Sequence, residues 1–294
     1  MVNILVTGSD GQLGSEIQTL SADMVGMAFT FTTINDLDIT NGQAVEKALS
    51  AKQYHFLINC SAYTAVDKAE SDRETAFMVN AEATKILAEA CQKFGTKIIH
   101  VSTDYVFDGQ ACVPYKEDHA SNPQSVYGAS KHLGETLLLE HQPECVIIRT
   151  SWLYSTYGHN FVKTILKYGQ EREELKVVFD QIGTPTYAAD LAQCILTIVK
   201  ESATNNRFHP GIYHYSNEGV ASWYDFAMQI AKGAKLNCKI WPVESAEYPT
   251  QAARPFYSVL NKGKIKSQYN LEIPHWTNSL EICLNKLMTT KHIE

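Results

Sequence analysis

Short runs of adjacent apolar residues alternate along this chain with longer stretches in which apolar positions recur every three or four residues. The runs "NILVT" at 3–7, "FTFTT" at 29–33, "FLINC" at 56–60, "KIIHVS" at 97–102, "CVIIRT" at 145–150 and "KVVF" at 176–179 predict strands. Several are apolar at consecutive positions, the pattern of strands buried on both faces of a parallel sheet. Helical periodicity falls near 12–21, 42–51, 73–93, 125–140 and 158–171, and is clearest in "ETAFMVNAEATKILAEACQKFG", which stops at Gly95. Such alternation predicts an α/β fold with a doubly wound parallel sheet of Rossmann type and right-handed crossovers.

The rhythm changes after about residue 215. "SWYDFAMQIAKGA" reads as a helix capped by Ser222, "CKIWPV" as a short strand, and a Pro-, Tyr- and Asn-containing stretch at 242–275 precedes a final helix at about 278–289. The expected division is a dinucleotide-binding unit at 1–150 plus about 172–216, and a smaller C-terminal α/β substrate domain at about 151–171 plus 217–294.

Composition narrows the function classes. With 45% hydrophobic and 19% charged residues, 294 residues can bury a real core. A formal net charge of −7 argues against a nucleic-acid backbone as partner, though not against one anionic small ligand held by a few placed groups. Seven cysteines lie singly, with no C-x-x-C pair, so reduced thiols in a cytoplasmic protein are expected rather than a disulfide frame or zinc site. The start "MVNILVTG" lacks the flank and apolar region of a signal peptide, and no apolar run reaches the roughly 20 residues of a membrane span. No membrane partner is expected.

Candidate chemistry begins at "VTGSDGQLGSEI", where Gly8, Gly11 and Gly14 bridge the first strand and the first helix. This G-x-x-G-x-x-G spacing suits a tight turn, close backbone approach to a pyrophosphate, and close helix–strand packing. The second strand ends in "TTIND", with neither an acid for a ribose 2′-hydroxyl nor an arginine for a 2′-phosphate clearly placed. Asp36 or Asp38 could approach an adenosine, yet Asp38 or Thr40 could equally cap the next helix, so NADH against NADPH is left undecided. Ala62, Tyr63 and Thr64 follow the third strand at the carboxyl rim, where such sheets admit ligands. Asp67, Lys68 and Glu70 read as a solvated turn or a salt-bridged helix start.

Thr103 ends the fourth strand on the same rim, and i,i+4 spacing puts Tyr127 and Lys131 on one face of the next helix. A phenol exchanges protons poorly near neutrality unless a cation stabilises its phenolate; Lys131 supplies one, and a threonine hydroxyl can hold the same carbonyl oxygen. With 15 tyrosines in the chain, a Tyr-x-x-x-Lys pair alone carries little information, and its position behind this sheet is what promotes it.

Together "GSDGQLG", "STDYVF" and "YGASK" resemble the extended short-chain dehydrogenase/reductase family. Four longer motifs, "SAYTAVDKAE", "IIRTSWLYSTYGHNFVKTIL", "DQIGTPTYAADLA" and "YPTQAARPFYSVLNKGK", extend the likeness over nearly the whole chain. They are similar to the branch of that family that reduces dTDP-linked 4-keto-6-deoxy sugars in the last step of dTDP-L-rhamnose synthesis. The resemblance implies Thr103, Tyr127 and Lys131 as catalytic trio and NADPH or NADH as cofactor. It implies Gly11, Gln12 and Leu13 at the pyrophosphate, Asp38 and Ile39 near the adenine, and Ala62 to Thr64 along the dinucleotide. Asp104 and Trp152 would touch the sugar nucleotide, with Asn160 and Arg254 nearer its nucleotide part. A guanidinium fork suits a diphosphate, while a surface salt bridge is the competing reading for Arg254 and core packing for Trp152. Some relatives hold a magnesium ion at a dimer interface through glutamates. Glu16 matches one such position, but Asp190 stands where a glutamate is expected, so no metal is carried over and a homodimer is left open. Two other functions stay open: a reductase or epimerase on another nucleotide sugar, and a non-catalytic subunit like the reductase-like partner of methionine adenosyltransferase.

Overall fold

Consecutive apolar residues on the strands face two different helical layers. In this computed structural model, which describes residues 1–290, the strands are β1 (Val2–Thr7), β2 (Met27–Thr32), β3 (Phe56–Asn59), β4 (Lys97–Thr103) and β5 (Cys145–Thr150). Ile4, Val6, Phe56, Ile58, Ile99, Val146 and Ile148 pack against Leu13 and Ile17 of α1 (Gln12–Ser21) and against the helix Ala188–Asn205. Their neighbours Leu5, Leu57, Ile98, Cys145 and Ile147 point the other way, onto the helices Gly42–Ala51 and Ala83–Phe94. A strand with period two can bury both faces only if both sets are apolar.

The central sheet has six strands, all pairs parallel, in the order Gly211–His214, β5, β4, β3, β1, β2. The doubly wound α/β fold expected from the sequence is therefore present. Two of its elements are not among those expected. The edge strand Gly211–His214 is short, and the helix Ala188–Asn205 fills the stretch "AADLAQCILTIVKESATN", whose three-to-four apolar spacing was there to be read.

The segment expected as strand 176–179 forms Glu174–Val178, but it does not join the central sheet. It pairs in parallel with Lys239–Val243, and its Leu175 and Val177 enter a second core with Val162, Phe226, Ile230 and Leu280. That core is closed by the helices Phe161–Glu171, Trp223–Gly233 and Trp276–Thr290. Ser222 caps the middle one through a reciprocal box with Asp225. Of the expected C-terminal unit, positions 291–294 lie outside the described residues. Among the described residues no helix is long and apolar enough to cross a membrane.

Candidate active site

The sheet order reverses at β1, which has β2 on one side and β3 on the other, so the crevice opens above the carboxyl ends of β1 and β3. The glycine turn sits there. Gly8 has φ +65°, and a Cβ on it would lie 2.7 Å from the Ser61 backbone nitrogen. A Cβ on Gly14 would lie 2.4 Å from the Gly8 carbonyl oxygen and 2.5 Å from Ser9 Cα. Gly11 is roomier, at 3.3 Å from that oxygen, and serves as N-cap of α1 with no side chain closing the helix end. First-turn N–H groups that no side chain caps, beside a turn with glycine at both ends, fit a dinucleotide pyrophosphate, with Gln12 and Leu13 in that first turn.

Other expected cofactor contacts are more constrained. Asp38 accepts from the Thr40 nitrogen at 2.9 Å and hydroxyl at 2.7 Å, and Ile39 is buried in the core under the sheet. Neither Asp38 nor Thr40 caps the next helix; Asn41 does, accepting from Ala44 N at 3.1 Å. Asp36 is held below the usual carboxylate range by its bonds to Thr33. The loop bearing Ala62, Tyr63 and Thr64 is clamped by Asn80, whose carboxamide accepts from Tyr63 N at 2.8 Å and donates to Tyr63 O at 3.1 Å. Asn80 lies on a one-turn π-helix, Met78–Glu82, that interrupts the long helix expected at 73–93. It also donates to Ser130 on the Tyr127 helix, tying the loop after β3 to that helix.

Thr103 ends β4, with its hydroxyl donating to Asp104 Oδ1 at 3.0 Å. Tyr127 and Lys131 project from the helix Val126–His141, capped by Ser125. Burial raises the Tyr127 phenol above its ordinary range, with the Thr103 hydroxyl hydrogen-bonding it and partly opposing the shift. The Tyr105 ring meets it edge-on at 5.5 Å. Lys131 is fully buried and donates to Val101 O at 2.8 Å, and burial pulls its pKa down to about 8. The structure thus puts Thr103 against Tyr127, with Lys131 one helical turn on and its Nζ at Val101 O, and holds the phenol protonated rather than ionised. Burial also pushes Asp104 up to about 6, with the nearby Ser258 and Thr103 hydroxyls offsetting part of the rise. Asp104 Oδ2 and the Ser258 hydroxyl nevertheless make no hydrogen bond of good geometry.

A cleft of about 790 Å³ lies against the second core, lined by Arg254, Asp67, Phe161, Tyr168, Trp223 and Tyr248 among others. Arg254 donates to Asp67 Oδ2 at 2.5 Å and to the Tyr105 hydroxyl at 3.2 Å. Of the two readings of Asp67, the salt-bridged helix start holds: it lies in the first turn of Val66–Ala69 and pairs with a residue 187 positions away. Trp152 takes φ 47° and stacks on Trp223 at 3.7 Å, with its ring over Gly183. Asn160 lies beside Gln12. It caps the helix Phe161–Glu171, and its Nδ2 donates to Ser155 O at 2.8 Å and Gln12 Oε1 at 3.0 Å, so it borders the glycine turn.

Glu16 is buried, its carboxyl raised by that burial, and accepts from Ser155 Oγ at 2.6 Å. Asp190 accepts from Asn217 Nδ2 at 2.7 Å and Ser279 Oγ at 2.5 Å. Among the described residues no cluster of three or more His, Cys, Asp or Glu could hold a metal ion.

Residues 2–289 match the family model described as the RmlD substrate binding domain. The dTDP-4-dehydrorhamnose reductase of Aggregatibacter actinomycetemcomitans is 39% identical over 96% of this chain and 98% of its own length. The solved dTDP-4-dehydrorhamnose reductase of Bacillus anthracis, in complex with NADP, superposes with a TM-score of 0.92 at 39% identity, covering 97% of this chain and 100% of that one. The UDP-glucose 4-epimerase of Thermotoga maritima shares the fold alone, with a TM-score of 0.83 at 17% identity over 99% of this chain and 100% of that one. By sequence over its whole described length and by fold, this chain belongs to the dTDP-4-dehydrorhamnose reductase family.

Proposed function

We propose that the chain reduces dTDP-4-dehydro-L-rhamnose to dTDP-L-rhamnose, an NAD(P)H-dependent oxidoreductase step in which hydride reaches C4 and Tyr127 protonates the oxygen. When bound, the dinucleotide supplies the hydride. Gly8, Gly11, Gln12, Leu13 and Gly14 would hold its pyrophosphate, and Ala62, Tyr63 and Thr64 would contact the dinucleotide. Thr103 hydrogen-bonds the substrate carbonyl and aims it at the phenol. Tyr127 is the acid, and a reduction needs that acid protonated at the start, which is the state its burial favours. Lys131, one helical turn on, stabilises the phenolate that forms. Asp104 receives a sugar hydroxyl, and the cleft by Trp152 and Arg254 receives the nucleotide end, with the guanidinium on the diphosphate.

The observation that supports this reading is the Thr103 hydroxyl at the Tyr127 phenol, with Lys131 one turn on along the same helix. Tyr127→Phe deletes only the transferable proton. Turnover should fall by roughly 10²–10⁴-fold, with cofactor affinity nearly unchanged. Retention of more than about a tenth of the rate with dTDP-4-dehydro-L-rhamnose removes Tyr127 as the acid and reopens the non-catalytic alternative.

A further inference from the structure

Thr7, Asn59, His100 and Lys131 form a buried line of side chains from β1 across β3 and β4 to the catalytic helix. Its polarity follows from one donor that has no choice. The Ser61 backbone N–H reaches the Asn59 carboxamide at 3.1 Å, so the atom facing it is Oδ1, which also accepts from Thr7 Oγ1 at 2.8 Å. Asn59 Nδ2 therefore faces His100 Nδ1 at 3.0 Å, and Nδ1 has to offer a lone pair. A neutral imidazole with a bare Nδ1 carries its hydrogen on Nε2. That Nε2 lies 3.1 Å from Lys131 Nζ. An ammonium there sets donor against donor, whereas an amine accepts. The bond from Nζ to Val101 O is available to either form.

We infer that His100 is a positioning residue for Lys131: its Nε2–H donates to Nζ and favours the amine in the ligand-free protein. The ammonium that stabilises the Tyr127 phenolate forms only against this hydrogen bond, so His100 sets the pH at which the trio is competent. Burial keeps the ring neutral, holding His100 well below its ordinary range, and a charged Lys131 would lower it further. Glu135, one turn further along the helix, pulls Lys131 toward the ammonium, but Arg149 from β5 clamps that carboxylate at 2.7 and 2.9 Å. Asp104 and Tyr105, beyond β4, bear on the Tyr127 phenol. His100 lies in the run "KIIHVS", where it reads as one more inward strand position, and only the sheet places it between Asn59 and Lys131.

The kinetic part of this inference rests on reading Lys131 as a member of the trio; the tautomer does not. Ring-¹⁵N-labelled histidine in the full ligand-free chain reads the tautomer directly, with His100→Gln assigning the resonance. A protonated Nε2 and a bare Nδ1 that do not titrate between about pH 6 and about pH 8 are expected. A protonated Nδ1 overturns the inference. In His100→Gln a carboxamide oxygen can face Nζ, replacing a donor by an acceptor. The basic limb of the kcat/KM profile, expected near about 8 in the wild type, should then move up. The shift should be on the order of one pH unit, the scale of a single hydrogen bond. A fall in rate or stability with the limb unmoved means His100 only packs, and overturns its tuning role. Full turnover in Lys131→Met overturns the trio and with it the kinetic part, while the ring nitrogens still decide the tautomer.

Discussion

At the glycine turn, backbone meets backbone; at the Arg254 cleft, side chain meets side chain. Gly8 and Gly14 lie so close to Ser61, Ser9 and each other that no Cβ fits, and all the parts of the turn come from one strand–turn–helix stretch plus the end of β3. The cleft needs Asp67 from beyond β3, Trp223 from a helix of the second core, and Arg254 from an irregular C-terminal segment. The first region offers a ligand N–H groups that any sequence possesses, so its information lies in which side chains are missing. The second offers charges and rings, so its information lies in long-range placement, and its arginine is already paired with Asp67.

The largest expected effect tests the first half of that contrast. Gly14→Ala puts a methyl into two backbone atoms and should destabilise the chain by about 3 kcal/mol, the upper part of the usual overpacking range. Gly11→Ala should leave urea-unfolding stability within about 0.5 kcal/mol, since its methyl meets only one oxygen at 3.3 Å. Equal losses at both positions would erase the distinction between a forbidden and a merely crowded glycine.

Next comes the cleft. Arg254→Ala should raise KM for the sugar nucleotide by an amount worth about 1.5–3 kcal/mol, with a smaller effect on NADPH affinity. Arg254→Lys should recover only part of it, because an ammonium cannot make the bidentate contact. Varying each substrate in turn separates the two affinities, and equal losses for both would make Arg254 structural.

Asp104 follows β4 next to Thr103, and its effect reads as stability against pH. Its folded carboxyl pKa of about 6 lies above the ordinary 3.8, so burial disfavours the charged form. Below about pH 3.8 the group is protonated in both states and carries no penalty; stability is lost as pH rises through 3.8 to 6. Asp104→Asn should therefore stabilise the chain by on the order of 2 kcal/mol above pH 6 and not at all below 3.8, while lowering turnover. Thermal unfolding at three pH values checks the sign.

The smallest effect concerns the pre-formed pair. Asp67 is half exposed and competes with a ligand phosphate for Arg254, so Asp67→Asn should lower KM for the sugar nucleotide by roughly 1.5- to 5-fold. An increase would show that Asp67 positions the guanidinium rather than occupying it.

Local pattern carried much of this protein. Adjacent apolar residues in β1, β3, β4 and β5 required a sheet covered on both faces, because a period-two strand cannot otherwise bury them. The glycine spacing, the strand-end Thr103 and the i,i+4 pair Tyr127 and Lys131 were legible because each depends on geometry within one element or at its end. Tertiary structure alone decided the rest. Strand Glu174–Val178 looked like the others but joined Lys239–Val243, since a strand's edge does not name its partner. Asn160 became a cap beside Gln12, and Asp67 became Arg254's partner, through contacts 148 and 187 positions apart. Asn59 and His100 carried no pattern beyond lying in strands. Hydrogen-bond polarity is a property of neighbours in space, and only the packed sheet put Ser61, Asn59, His100 and Lys131 in line.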